Sequence, residues 1–336
     1  MLVKLRSLVL LVPLLVSTGA SATADEPLGP EEVALPVVEL VSVPPVITDG
    51  AGPMPVVAAE EPADPEPSWD RVHWTVAQDE SVESVAGRWG MKTRELRRLN
   101  PDLRGLPRVH AGVSLLVYER DEERPTRSIG APNSGRLQSG MPLPEGRYWQ
   151  LRERRTRTFG AENSIRAMVT AFNAYGEAFE DAPPVLVGEI SSRRGGRADP
   201  HRSHRTGRDV DLGYILKPRE GATEEERRKW KRANPDNFDV ERNWALIQAL
   251  VETGEVQQIF VSVRLQRLLK PVAREQLSPE DFARYFRVPG ADRERMPILK
   301  HWDGHRDHMH VRFRCEDGNA RCRSRSTRPH KHRASA

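Results

Sequence analysis

Six of the chain's ten histidines fall in two short windows. The first, PHRSHRTGRDVDLGY, carries His201, His204, Asp209 and Asp211; the second, KHWDGHRDHMHVRF, carries His301, His305, His308 and His310. Imidazole nitrogen and carboxylate oxygen are donors that zinc takes at about 2.0–2.2 Å, and a catalytic zinc keeps three protein ligands and leaves a fourth position to water. The ion brings the pKa of that water towards about 7 and polarises a carbonyl. A nearby base must take a proton and later deliver it to the leaving group, and surplus His and Asp can act as that base or orient the ligands. Neither window holds a cysteine and the chain has no dinucleotide-binding glycine pattern, so the inventory fits hydrolysis better than redox work. His301, beside Trp302, and His330 and His332, in a Ser/Arg-rich tail, read as solvated or structural residues.

The two windows end in strand-like runs, VDLGYI and MHVRF. Residues two apart on a strand share a face, so Asp209 and Asp211 point one way, as do His308 and His310. If the two strands pair, two imidazoles and two carboxylates converge. Around them the pattern predicts a helix over 163–175, with Ile165, Met168, Val169 and Phe172 on one face, a buried strand over 184–190 and a helix over 244–251. A strand over 256–261 and a basic amphipathic helix over 263–269 follow. Helices and strands mix without regular alternation, which gives an α+β domain. The run EEERRKWKR reads as a solvated helix with i, i+4 charge pairs.

The combination S-H-x-x-G-x-D-V-D at 203–211 and H-x-x-H-x-H at 305–310 resembles the penicillin-insensitive murein endopeptidase family. That family sits within the wider group of lysostaphin-type and D-alanyl-D-alanine zinc peptidases, whose signature is H-x(6)-D with a distant H-x-H. VLVGEISSRRGG upstream and NWALIQALVETGEVQQIFV between the windows extend the resemblance to residues 141–315. It implies zinc held by His204, Asp211 and His310, with His308 as catalytic base or stabiliser of the transition state. His201 and His305 would be additional histidines around the metal and Asp209 an outer group behind the ligands. The implied reaction is cleavage of the D-alanyl–meso-diaminopimelyl cross-link of peptidoglycan by metal-activated water. With no acyl-enzyme formed, a β-lactam has no serine to trap. A D,D-carboxypeptidase or L,D-type muropeptidase on the same fold, and a non-catalytic wall-binding protein, are the rival readings. Arg202, Arg205 and Arg208 flank the first window; they read equally as captors of substrate carboxylates by charge-assisted hydrogen bonds and as a solvated basic face. The basic insert 217–234 departs from the shortest form of the family pattern.

Residues 1–24 have a basic start, an apolar run and small residues before a cleavage point, the layout of a secretory signal. No transmembrane helix is expected in the mature form. Residues 25–68 hold ten acidic residues, ten prolines and no Lys or Arg, an acidic disordered linker. The net charge of +4 therefore conceals about +12 on residues 69–336, which suits an anionic wall surface; export argues against a nucleic-acid partner. Residues 69–119 predict strand, helix, helix and strand. DESVESVAGRWGMKTRELRRLNPDL and VHAGVSLLVY, with L-x-x-L-N-P and G-x-x-L-x-V, resemble a LysM domain. That resemblance implies binding of the N-acetylglucosamine backbone of peptidoglycan, with Asn100, Pro101 and Asp102 at the sugar groove. Residues 120–140 read as a second linker and 316–336 as a basic tail. In an exported chain Cys315 and Cys322 are expected to be bridged, a loop contributing about 2–3 kcal/mol. The whole reads as a periplasmic or wall-associated protein with a small βααβ domain and a larger α+β zinc peptidase domain.

Overall fold

A computed structural model describes residues 69–152, 155–219, 221, 223–227, 229–288 and 296–324. The expected signal segment and acidic linker over 1–68, and the tail beyond 324, lie outside the described residues.

The first elements are β1 (Arg71–Thr75), α1 (Val82–Arg88), α2 (Thr93–Leu99) and β2 (Ser114–Glu119). β1 and β2 pair antiparallel, with Trp74 opposite Leu115. Val82, Val85, Ala86 and Leu96 pack beneath them with Trp89. Helix α1 is capped by Ser81, whose Oγ accepts from the Ser84 N–H at 3.0 Å. The Asp79 carboxylate accepts from Ala111 N–H at 2.9 Å, pinning the turn that leads into β2. Gly90 ends the helix at φ 59°, a left-handed conformation that glycine adopts without steric cost.

A six-stranded sheet forms the larger part. In chain order its strands are β5 (Trp149–Leu151), β6 (Val185–Val187), β7 (Asp209–Gly213), β8 (Val256–Phe260), β9 (Leu299–Lys300) and β10 (His308–Phe313), after the hairpin β3 (Arg127–Ile129) and β4 (Arg136–Gln138). The spatial order is β9–β8–β10–β7–β6–β5. The two outer pairs are parallel and the inner pairs antiparallel. Val210 and Leu212 of β7 and Met309, Val311 and Phe313 of β10 are fully buried. They share one hydrophobic core with Ile165, Met168 and Phe172 of α3 (Glu162–Glu177) and Trp244, Ile247 and Leu250 of α4 (Val240–Glu252). The alternate positions, Asp209, Asp211, His308 and His310, take the other direction. Among the described residues no helix is long and apolar enough to cross a membrane. The mixture of helix and sheet is that of an α+β protein.

Residues 120–140 differ from the expected linker. The β3–β4 hairpin is stitched to both the first histidine window and the chain beyond the last strand. Buried Ser128 donates from Oγ to Thr206 O at 2.8 Å, and Asn319 donates to Ser128 O at 2.8 Å. Gly130 N–H donates to Arg321 O at 2.8 Å. Residues 316–324 are likewise part of the fold, held by the Cys315–Cys322 disulfide, Cα–Cα 5.8 Å. The helical segment 71–119 is anchored by an Arg193–Glu95 ion pair at 2.8 Å, by Arg155 over Trp89 at 4.8 Å and by a Tyr118–Thr126 hydroxyl contact at 3.0 Å.

Arg208 corrects an expectation. Its side chain is wholly buried and donates to Phe313 O at 3.0 Å and Arg323 O at 2.9 Å, so it cannot reach a substrate carboxylate. It ties β7 to the end of β10 and to the disulfide loop. Arg208→Ala removes the guanidinium donor from the buried Phe313 carbonyl and from Arg323 O, and should lower unfolding free energy by about 2–4 kcal/mol in denaturant melts. An unchanged midpoint would contradict this structural role.

Candidate metal centre

The sheet register builds the site. β7 and β10 run antiparallel with Asp211 opposite His310, Gly213 opposite His308 and Asp209 opposite Arg312. His204 arrives from the loop before β7, with its backbone at φ 62°. A non-glycine residue in this region carries strain of order 1–3 kcal/mol and persists where its surroundings hold it. Here the Ser191 hydroxyl donates to the His204 carbonyl at 2.9 Å, and His204 Nδ1 lies 3.0 Å from Ile190 O. A carbonyl only accepts, so Nδ1 carries the hydrogen and Nε2 bears the lone pair. That Nε2 is buried without a hydrogen-bond partner and stands 3.3 Å from Asp211 Oδ2.

Asp211 is the hub. Its Oδ2 faces His204 Nε2 and, at 3.8 Å, His201 Nδ1; its Oδ1 lies 2.9 Å from His310 Nδ1 and 3.8 Å from His308 Nε2. His201, His204 and Asp211 offer ligand atoms within 4.8 Å of one another, a group able to hold a metal ion. His310 adds a nitrogen on the opposite oxygen of the same carboxylate. The other ring nitrogen of His310 lies 2.8 Å from Asp209 Oδ1, which also accepts from Arg312 Nε at 2.7 Å. His308 Nδ1 contacts Asp307 Oδ1 at 2.7 Å, leaving Nε2 turned towards Asp211.

The charges fit a cation site. Burial opposes ionisation of Asp211, but the neighbouring His204 and the hydrogen bond from His310 outweigh it and hold the carboxyl well below its ordinary value. Burial likewise opposes ionisation of Asp209, and Arg312 with His310 overcomes it and lowers its pKa. Burial disfavours the charged ring of His310, yet the hydrogen bonds and charges of Asp209 and Asp211 raise it to about 9. Two ionised carboxylates thus hold a proton where another cation could sit. Burial, with the charge of His308, takes His305 down to about 4, and burial followed by the charge of His204 lowers His201.

The remaining expected residues divide. His305 lies beside His308, ring centroids 4.9 Å apart and planes tilted by 50°, but turns Nδ1 to the carbonyls of Trp302 and Asp303 at 3.2 Å. His301 accepts from Val263 N–H at 3.2 Å, at the start of α5 (Val263–Gln276). Arg202 is exposed and Arg205 half-buried. Asn100 corrects another expectation: its side chain donates to Leu96 O and Leu116 O and accepts from Leu116 N–H. The amide is spent joining α2 to β2, so it is not free for a sugar. Pro101 and Asp102 lie exposed in the following 3-10 turn. Three site residues were missed. Asp307 fixes the tautomer of His308. Glu189 places a buried, unpartnered Oε2 at 3.5 Å from His201 Nε2. Trp230 stacks on His308. Asp307 stands inside the second window, next to His308, whereas Glu189 lies in the VLVGEISSRRGG run, eleven residues before the first window begins.

Residues 128–334 match the sequence profile of the family described as penicillin-insensitive murein endopeptidase. The chain belongs to that family. It is accordingly a peptidase hydrolase. It is similar to penicillin-insensitive murein endopeptidases of Klebsiella pneumoniae subsp. pneumoniae (28% identity over 215 residues, 60% of this chain and 72% of the relative) and Yersinia pestis bv. Antiqua (26% over 216 residues, 60% and 71%). The relative from Pectobacterium atrosepticum is 28% identical over 215 residues, 60% of this chain and 70% of its own length. The matched segment begins in the β3–β4 hairpin, agreeing with the place of that hairpin in the larger fold.

Two outcomes follow for metal uptake. With the pKa of His310 raised to about 9, the metal-free ring is protonated at pH 7, and a metal taken up at Nδ1 would have to expel that proton. Calorimetry in buffers of different ionisation heats should show release of about one proton per metal at pH 7, with affinity rising as pH approaches 9; no release would contradict it. Asp209→Asn should weaken metal affinity about 10–100-fold by removing the carboxylate behind His310, measured by competition with a chromophoric chelator.

Proposed function

We propose that this family member is an exported zinc-dependent endopeptidase that cuts D-alanyl–diaminopimelyl cross-links of peptidoglycan. The observation that carries the reading is the buried, unpartnered Nε2 of His204 facing Asp211, with His310 on the other oxygen of that carboxylate. The donor set of two imidazoles and one carboxylate suits zinc, and His204, Asp211 and His310 would hold it. His310 is preferred to His201 as third ligand because it is strand-borne and buried, with Asp209 fixing its far nitrogen. His201 is a third exposed and sits on a loop near Glu189. Zinc, when bound, supplies a Lewis acid and activates water for attack on an amide.

The chain's own residues do the rest. Asp307 accepts from Nδ1–H of His308, so Nε2 is the nitrogen able to take a proton from water and return it to the leaving amine. Asp209 and Arg312 hold His310 against rotation. The murein endopeptidase names of the relatives support peptidoglycan as substrate. The strand–helix–helix–strand segment 71–119 supports a LysM-type hold on its glycan, through groups other than the Asn100 amide. Its anchoring by Arg193–Glu95 makes it a fixed extension of the catalytic part. With a wall polymer as substrate, the protein would act in the periplasm or at the wall.

Purified protein should convert cross-linked dimeric muropeptides to monomers, lose this with a chelator and regain it with zinc. Intact dimers in the presence of zinc would refute the reading, as would cleavage indifferent to chelator; loss of only a terminal D-alanine would mark a carboxypeptidase instead. His204→Ala and His310→Ala should abolish zinc retention, whereas His308→Ala should keep zinc and lower turnover about 10²–10⁴-fold.

A further inference from the structure

The charged segment that follows β7 delivers one large aromatic side chain to the site. Trp230 lies against His308 with ring centroids 4.5 Å apart and planes 21° from parallel, a stacked arrangement. The guanidinium of Arg152 lies 4.2 Å from the same indole. The sheet is shaped to receive this ring. A Cβ at Gly188 would come within 2.5 and 2.8 Å of the indole carbons, and one at Gly213 within 3.1 Å of Nε1. Contacts under 3.0 Å essentially do not occur for real Cβ atoms, so the absence of a side chain at Gly188 makes room for the Trp230 indole, with Asp211 O next at 3.1 Å. Gly188 N–H also donates to Asp211 O at 2.8 Å, and Gly213 stands opposite His308 in the β7–β10 register. The seat is therefore built from backbone on either side of Asp211.

A histidine on a strand has two soft torsions. Asp307 restrains His308 at one nitrogen, at 2.7 Å, which fixes the tautomer but leaves the ring free to swing about that contact. A flat indole stacked on the imidazole removes that freedom. A misplacement of about 1 Å can cost about 10²-fold in rate, so the restraint has kinetic value. We propose that Trp230 is a positioning residue: it clamps the His308 ring in the plane that aims Nε2 at the space beside Asp211. This deepens, and for its kinetic arm rests on, the peptidase mechanism proposed above; its spectroscopic arm does not.

The test compares full-chain protein with Trp230→Phe, Trp230→Ala and Gly188→Ala. In NMR spectra with His308 assigned by loss of its signals in His308→Asn, the ring protons of His308 should show an upfield ring-current shift. That shift should be lost in Trp230→Ala and Gly188→Ala and largely kept in Trp230→Phe, with zinc content equal in all. On dimeric muropeptides, Trp230→Ala and Gly188→Ala should lower kcat about 10–100-fold with KM changed less than about threefold, and Trp230→Phe should recover most of the loss. An unshifted His308 ring in the parent protein overturns the proposal, as does Phe failing to rescue either readout, or a loss confined to KM. A parent protein that shows the ring-current pattern but leaves dimers intact overturns the peptidase reading and not the clamp.

Discussion

The antiparallel pairing of two central strands is the constraint on which the site depends. With Asp211 opposite His310 and Gly213 opposite His308, the polar faces of β7 and β10 converge while Val210, Leu212, Met309 and Val311 anchor the same strands in the core. A shift of one residue in register would exchange the two faces, sending carboxylates into the hydrophobic core. Packing and chemistry are thus enforced by the same alternation. Arg208 and the disulfide loop reinforce it at the strand ends, where Arg208 bridges Phe313 and Arg323.

Within that frame the histidines differ by what lies behind them. His204 is backed by a carbonyl, His308 by Asp307 and His310 by Asp209. Each partner decides which ring nitrogen is left to face the centre. Burial alone would suppress charge on both aspartates and on His310; the group ionises because its members neutralise one another. Asp209 and Asp211 together raise the pKa of His310 to about 9, so the pair of carboxylates favours positive charge at that ring.

Much of this was legible in the sequence because strand alternation is short-range. The period-2 pattern of DVDLG and HMHVRF places Asp209, Asp211, His308 and His310 on shared faces, and the spacing from His204 to Asp211 follows the family signature. The helix over 163–175 and that over 244–251 appear as α3 and α4 with the expected apolar faces. The hairpin over 127–138 was not legible. Its strands are three residues each, too short for periodicity, and their order comes from long-range bonds to Thr206, Glu316 and Arg321. Arg208 resembled its exposed neighbours in type, and only burial separates it from Arg202. Trp230 was hidden among charges, although a lone indole there has little to gain from solvent. Asn100 looked like a groove residue because an amide serves equally well in a backbone tie.

The most direct test of the central claim is the position of the anomalous-scattering peak in crystals of zinc-loaded protein at the zinc edge. The account predicts one peak bonded to His204 Nε2, Asp211 and His310 Nδ1 at about 2.0–2.2 Å, with Asp209 still on His310 Nε2. A peak held by His201 in place of His310, or one away from Asp211, would contradict it.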